Sequence, residues 1–182
     1  MEFLSACVCA VVFQALGAVA ADSGEASEAV SRDHFAPRTA VDFASPTEAA
    51  APWIHPSMPA SVRDKLETAF EIAIARITAV PECAQLFSQL GADATETLKT
   101  GLYFPASPAR ETSVCRRSMA QTYVGGAPTW ICRRITSYSD ERVALVVIHE
   151  ALHHAGLTEK PHDRKAMTSG AINKMVGRKC GF

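Results

Sequence analysis

The 182-residue sequence predicts a small α+β domain, and three observations support this fold class. From Ser61 onward, apolar residues recur every three to four positions, which is the period of an amphipathic helix. Residues 102–137 are rich in β-branched and aromatic side chains, and Gly125 and Gly126 divide them as a hairpin turn would. A further helix-like segment ends at Gly156. We therefore expect helices packed with a short antiparallel sheet.

The first 21 residues are typical of a secretory signal peptide. Residues 3–20 are almost wholly apolar, and Ala18-Val19-Ala20 offers a small-x-small cleavage site. An uncleaved N-terminal anchor is the alternative for such a run. We expect an exported protein, secreted or periplasmic, without stable membrane association once residues 1–21 are removed.

Residues 22–59 are predicted to be a disordered linker or a pro-segment. They are rich in Ala, Ser, Asp and Glu, show no steady hydrophobic period, and contain prolines that interrupt regular structure. These prolines are Pro37, Pro46, Pro52, Pro56 and Pro59. A pro-segment can carry an inhibitory metal ligand, and the available histidines are His34 and His55, although a solvated role is the alternative for both.

The folded domain is predicted to span residues 60–182 and to begin with an amphipathic helix. Ser61 is its expected N-cap, and the helix should end before Pro81. Its apolar face comprises Val62, Leu66, Phe70 and Ile77. A second short helix is expected over residues 83–90, followed by a helical turn over residues 95–98.

The expected strands lie at residues 103–104, 113–123 and 129–135. The last two should pair as a hairpin. After the sheet and the central helix, Pro161 precedes a last amphipathic helix predicted over residues 164–176.

The central helix carries the most informative stretch of the chain, His149-Glu150-Ala151-Leu152-His153. Ser137 or Ser139 can cap its first turn, and Gly156 can adopt the left-handed conformation that ends a helix. The apolar residues 143–148 alone would also suit a buried strand, but the pattern continues to Ala155, which favours a helix.

On this helix, His149 and His153 lie one turn apart on the same face and can bind one metal ion. Glu150 lies beside them, in a position that suits a general base better than a ligand. Zn²⁺ is the expected ion, because it accepts imidazole and carboxylate ligands and leaves a position open for water. Glu159 is the first ligand-capable side chain after the turn. Two alternatives for the third ligand stay open: His162 and Asp163.

This stretch resembles the motif of the zincin metallopeptidases. Their metzincin branch carries His-Glu-x-x-His-x-x-Gly-x-x-His, or the same pattern with Asp at the last position. The chain matches at His149, Glu150, His153 and Gly156, with Glu159 at the final position. It is also similar to short secreted bacterial proteins with His-Glu-x-x-His-x-x-Gly-x-x-Glu. The resemblance implies His149, His153 and Glu159 as zinc ligands, Glu150 as general base in peptide hydrolysis, and an edge strand that aligns an extended substrate.

Two other functions are considered. One is a secreted, disulfide-stabilised binding protein with a structural or vestigial zinc site, and the other is a zinc amidase acting on cell-wall material. Glu150 weighs against a purely structural site, which has no need of a base. The net charge of −1 and the lack of a basic stripe exclude a nucleic-acid partner, so a peptide or protein substrate is expected.

Four cysteines remain once Cys7 and Cys9 leave with the signal peptide: Cys83, Cys115, Cys132 and Cys180. They are widely spaced and even in number within a chain that is predicted to be exported, so two disulfides are expected. Four cysteines allow three pairings. The preferred pairing is Cys83–Cys115 with Cys132–Cys180, which would tie the C-terminal tail to the strand before the central helix.

Overall fold

The structure, a computed structural model, describes residues 51–182. The predicted signal peptide, most of the predicted linker, His34 and the first two cysteines lie outside the described residues. Two helices form the centre of the core, α1 (Ala60–Ala79) and α5 (Asp140–His154). Every residue of α5 from Val143 to His153 is buried, because α1, the sheet and the C-terminal helix (Ser169–Cys180) cover it. This explains its continuous apolar run.

Five of the six described α-helices follow the predicted order, and the short helix at residues 108–112 was not predicted. Their bounds are α1 (Ala60–Ala79), α2 (Pro81–Ser88), α3 (Ala94–Thr100), α4 (Pro108–Thr112), α5 (Asp140–His154) and α6 (Ser169–Cys180). Two predictions about helix starts were wrong. Pro59 precedes α1 and no side chain caps it, so Ser61 is not the cap. The last helix begins at Ser169, because Thr168 accepts a hydrogen bond from the Ala171 amide and caps it there.

The sheet has four strands, β1 (Trp53–Ile54), β2 (Leu102–Pro105), β3 (Ala120–Thr122) and β4 (Pro128–Ile131), in the order β1-β2-β4-β3. The antiparallel β3–β4 hairpin is confirmed, but the remaining pairs are parallel, so the sheet is mixed and not purely antiparallel. Strand direction depends on the connections between strands, and a residue pattern does not encode it. The α+β fold class is confirmed.

The folded domain begins earlier than the predicted boundary at residue 60. Ile54 pairs with Tyr103, and the His55 amide donates to the Tyr103 carbonyl at 2.8 Å. Met58 is buried against the core. Residues 51–59 therefore belong to the domain, because the pairing with β2 outweighs the local effect of the prolines.

Two disulfides connect Cys83 to Cys180 and Cys115 to Cys132, so the preferred pairing was wrong. Cys83 lies in α2 and Cys180 lies at the end of α6. These two helices pack together, and the Cα atoms of the two cysteines are 4.6 Å apart. Such bonds persist in oxidising compartments, as expected for an exported protein. Among the described helices, none is both long and apolar enough to cross a membrane.

Candidate metal centre

The two ends of α5 have clear chemical causes. Ser139 caps the first turn by accepting a hydrogen bond from the Arg142 amide at 3.3 Å. At the other end, Gly156 has φ +98°, a left-handed conformation that favours glycine. The amides of Gly156 and Gly125 both donate to the carbonyl of His153, at 3.0 and 2.8 Å. The chain therefore reverses at Gly156 and the hairpin turn is fixed against the helix end.

This reversal brings the Glu159 carboxylate to the two histidines of the helix. The Nε2 atoms of His149 and His153 are 3.0 Å apart, and Glu159 Oε2 lies 3.2 Å from the first and 3.3 Å from the second. Tetrahedral zinc with bonds of about 2.0–2.1 Å holds its ligands about 3.3 Å apart. The three predicted ligand atoms therefore fit one zinc ion, with a fourth position left open.

The opposite ring nitrogens set the tautomer of both histidines. His153 Nδ1 lies 2.7 Å from the Leu157 carbonyl, which can only accept, so Nδ1 carries the proton. His149 Nδ1 lies 2.9 Å from Asn173 Oδ1 in α6. Both Nε2 atoms consequently turn lone pairs toward the same point. Two lone pairs at 3.0 Å repel unless a cation or a proton lies between them.

The charges of the cluster favour a bound cation. Burial alone lowers the pKa of His149, but the contact with the Glu159 carboxylate, the charge of Glu150 and the Asn173 bond outweigh it, so this pKa is raised. Burial acts to raise the pKa of Glu159, yet its contacts with His149 and His153 lower it overall. Glu159 is therefore an ionised carboxylate beside two imidazoles, the state that a metal ligand requires.

Glu150 opens onto the same cleft without joining the ligand cluster. Its side chain makes no hydrogen bond to any residue in the described range and is only 7% exposed. The cleft has a volume of about 170 Å³, and its wall includes Glu150 beside all three candidate ligands. A buried carboxylate without a protein partner, facing a metal centre, is placed to accept a proton from water.

Strand β3 forms the opposite wall of the cleft and is an edge strand of the sheet. The Cys132 amide donates to the Met119 carbonyl at 2.9 Å. This bond shows which residue pairs of the antiparallel β3–β4 ladder are hydrogen-bonded, since such pairs alternate with pairs that are not. By that alternation, the backbone groups of Gln121 face β4, while those of Ala120 and Thr122 face away from it. Their amides and carbonyls are available to a further extended chain.

The predicted candidates His162, Asp163 and His55 lie outside the ligand cluster, as do Tyr123 and Tyr138. His162 borders the cleft, and Asp163 bonds to the Thr158 hydroxyl and the Lys165 amide. His55 packs on Trp53 and Phe104, away from the described metal cluster. Tyr123 is exposed at the hairpin, whereas Tyr138 lines a second pocket beside the cleft.

His154 does not face the metal cluster. Its Nε2 lies 2.8 Å from the Thr129 hydroxyl, which in turn lies 2.7 Å from the hydroxyl of Thr122. This chain of hydrogen bonds joins α5 to the β3–β4 hairpin and therefore fixes the position of the cleft's two walls. His154 therefore supports the two walls and does not contact the candidate ligands.

Sequence reasoning missed the two groups that orient the histidines, Asn173 and the Leu157 carbonyl. No residue pattern identifies a backbone acceptor, and Asn173 lies on a helix 20 residues beyond the motif. Comparison of the chain with models of protein families, with curated proteins and with solved structures finds no match. The assignment of the site therefore depends on its geometry.

Proposed function

We propose that this protein is an exported zinc metallopeptidase that hydrolyses peptide bonds, with His149, His153 and Glu159 as zinc ligands and Glu150 as general base. One observation carries the proposal. Two Nε2 lone pairs and one carboxylate oxygen converge with separations of 3.0–3.3 Å, and protein acceptors hold the outer nitrogens of both rings. This arrangement suits a divalent cation that prefers imidazole and carboxylate ligands.

The chemistry that zinc supplies in such a site is acidification of water and polarisation of the scissile carbonyl. Glu150 accepts the proton of the attacking water and passes it to the leaving nitrogen. Glu150 is buried and lines the same cleft as the three proposed ligands, which supports its role as the base. A structural zinc site would make no use of this carboxylate.

The edge strand supports a peptide as the substrate. An extended chain in the cleft can pair with the outward amides and carbonyls of Ala120 and Thr122, which adds a strand to the sheet. This pairing recognises the backbone, so it would hold the scissile bond over the metal centre with little demand on sequence.

Export through a cleaved signal at residues 1–21 is part of the proposal. The two disulfides support it, since such bonds are rare where glutathione and thioredoxin keep thiols reduced. N-terminal sequencing of protein recovered from the exporting host tests the cleavage site. A mature chain that still begins at Met1 would contradict it.

Two measurements on the full chain test the function. The first is metal content by plasma mass spectrometry, with about one zinc per chain expected in wild type and Glu150→Gln, and loss of zinc in His153→Ala. The second is cleavage of an unbiased peptide library. Glu150→Gln should lower turnover at least about 100-fold, since general-base catalysis contributes about 10²–10⁴-fold.

Glu141→Gln is the matched control, because it removes one carboxylate from the exposed side of the same helix. It should keep both zinc and turnover. Equal cleavage by wild type and Glu150→Gln would reject the base. Bound zinc without any cleavage, combined with unfolding on metal removal, would favour the structural-site alternative.

A further inference from the structure

A second pocket adjoins the metal cleft on the side of α5 that faces α6. It has a volume of about 170 Å³ and shares five residues with the cleft: Ser118, Ala120, His149, Glu150 and Ser169. The two spaces are therefore neighbouring parts of one depression. A substrate held at the metal centre would place a flanking group in the second pocket.

Hydrogen-bond donors dominate the wall of this pocket. Arg117 and Arg142 line it, and neither side chain has a salt bridge or a hydrogen bond to any residue between 51 and 182. Asn173 uses Oδ1 toward His149, which leaves its Nδ2 donors available. The Tyr138 hydroxyl accepts from Arg134 at 2.6 Å and keeps its own proton to donate.

The position of Arg142 adds an independent argument. It lies in the first turn of α5, where the helix dipole and the free amides disfavour a cation. Arg142 and Arg117 approach the pocket from different elements, since Arg117 follows the short helical turn Val114–Arg116. Both arginines are exposed and line one pocket, so two positive charges there can attract an anion.

We infer that this pocket binds a carboxylate of the substrate, and that Arg117 and Arg142 determine specificity by pairing with it. Planar guanidinium groups bind carboxylates through charge-assisted hydrogen bonds. The carboxylate is either an acidic side chain near the scissile bond or the C-terminus of a short peptide. The inference rests on the proposed peptidase function and specifies its substrate class.

Binding of short blocked peptides tests the inference without requiring turnover. The protein is the full chain carrying Glu150→Gln, and the readout is calorimetry or fluorescence anisotropy. One set of alanine hexapeptides places a single Glu at each position in turn with the C-terminus amidated. A second set has Gln in place of Glu, and a third has Gln with a free C-terminal carboxylate.

We expect at least one carboxylate peptide to bind about tenfold more tightly than its neutral partner, the scale of one charge-assisted pair. Arg117→Gln/Arg142→Gln should remove that preference and leave the zinc content unchanged. Arg116→Gln is the matched control, since it removes a neighbouring exposed charge outside the pocket. The set of carboxylate peptides that binds more tightly shows whether the recognised carboxylate is an internal side chain or the C-terminus.

Equal binding of charged and neutral peptides, binding of none of them, or a preference that survives the double substitution would each overturn the inference. The proposed function fails on different observations, namely missing zinc or unaltered cleavage by Glu150→Gln. The two failures are therefore distinguishable.

Discussion

The Nδ1 atom of His153 donates to the carbonyl oxygen of Leu157 at 2.7 Å, and this bond connects the end of the helix to the candidate metal ligands. The Leu157 amide donates in turn to the Leu152 carbonyl at 2.9 Å. Leu157 reaches this position only because Gly156 turns the chain in a left-handed conformation. Helix termination and ligand orientation thus depend on the same turn.

Gly156→Ala tests this dependence. The added methyl group meets no atom within 4 Å, so the cost arises from the backbone φ of +98° alone, about 1–2 kcal/mol. Zinc affinity should fall as well, because relaxation of the turn moves the Leu157 carbonyl and Glu159. Chemical denaturation and a zinc titration measure the two effects. Gly170→Ala also has open space, but Gly170 lies in α6 without a positive φ, so zinc affinity should stay unchanged and stability should rise by up to about 1 kcal/mol.

The third ligand can be tested against its rival His162. Glu159→Ala should lower zinc affinity at least about tenfold, because it removes the only carboxylate in the described ligand cluster. His162→Ala should leave zinc affinity within about twofold of wild type, since its ring lies outside the cluster. Competition with a fluorescent chelator measures the zinc dissociation constants of wild type and of both variants. A larger loss in the His162 variant than in the Glu159 variant would reassign the ligand.

The helices and the ligand pair were predictable because their spacing has a physical period. Apolar residues at intervals of 3.6 specify α1, and a separation of four residues places His149 and His153 on one face. The choice of Glu159 over Asp163 required the turn after Gly156, which no period describes. Asp163 is instead engaged by the Thr158 hydroxyl, a contact within the turn itself.

The errors concerned contacts between segments distant in sequence. Trp53 and Ile54 form a strand only because β2 is beside them, and two residues in a proline-rich segment carry no strand pattern of their own. The pairing of Cys83 with Cys180 follows from the packing of α2 on α6. Both features depend on tertiary contacts, which local residue patterns do not encode.

The two disulfides should differ in their effect on the metal centre. Cys83–Cys180 closes a loop of 97 residues and Cys115–Cys132 a loop of 17. Because a disulfide lowers the entropy of the unfolded chain more when its loop is longer, the first should stabilise the fold by about 4–5 kcal/mol and the second by about 3 kcal/mol. Paired alanine substitutions at the first bridge should also weaken zinc binding, because Cys180 fixes the helix that carries Asn173. Denaturant midpoints and zinc titrations compare the two double variants. Equal zinc affinity in both would contradict this role of α6.

The hydroxyl of Tyr103 is buried and has no hydrogen-bond partner in residues 51–182. Burial, with the charge of Glu150 adding to it, raises the pKa of this phenol, so it stays neutral. Tyr103→Phe removes an unsatisfied polar atom and should leave the free energy of unfolding unchanged or raise it by up to about 1 kcal/mol. Thr129→Val is the contrast, because it breaks the bond to His154 and should cost about 1–2 kcal/mol.

Acid stability should depend on His154. Burial lowers the pKa of His154 to about 4, and the charge of His153 acts in the same direction, against a smaller opposing effect of the Thr97 backbone. His154 binds a proton near pH 6.5 in the unfolded chain but only near pH 4 in the folded chain. The free energy of unfolding therefore falls as the pH drops through this interval. The side chain is partly exposed, and the loss should be about 1–2 kcal/mol.

His154→Gln isolates this contribution, because glutamine can still bond to the Thr129 hydroxyl but does not titrate. The measurement is the free energy of unfolding in urea at pH 7.5 and at pH 4.5, on protein stripped of metal so that release of zinc does not contribute. Wild type should lose more stability than His154→Gln across this interval. Parallel losses in the two proteins would show that His154 is as readily protonated in the folded chain as in the unfolded chain.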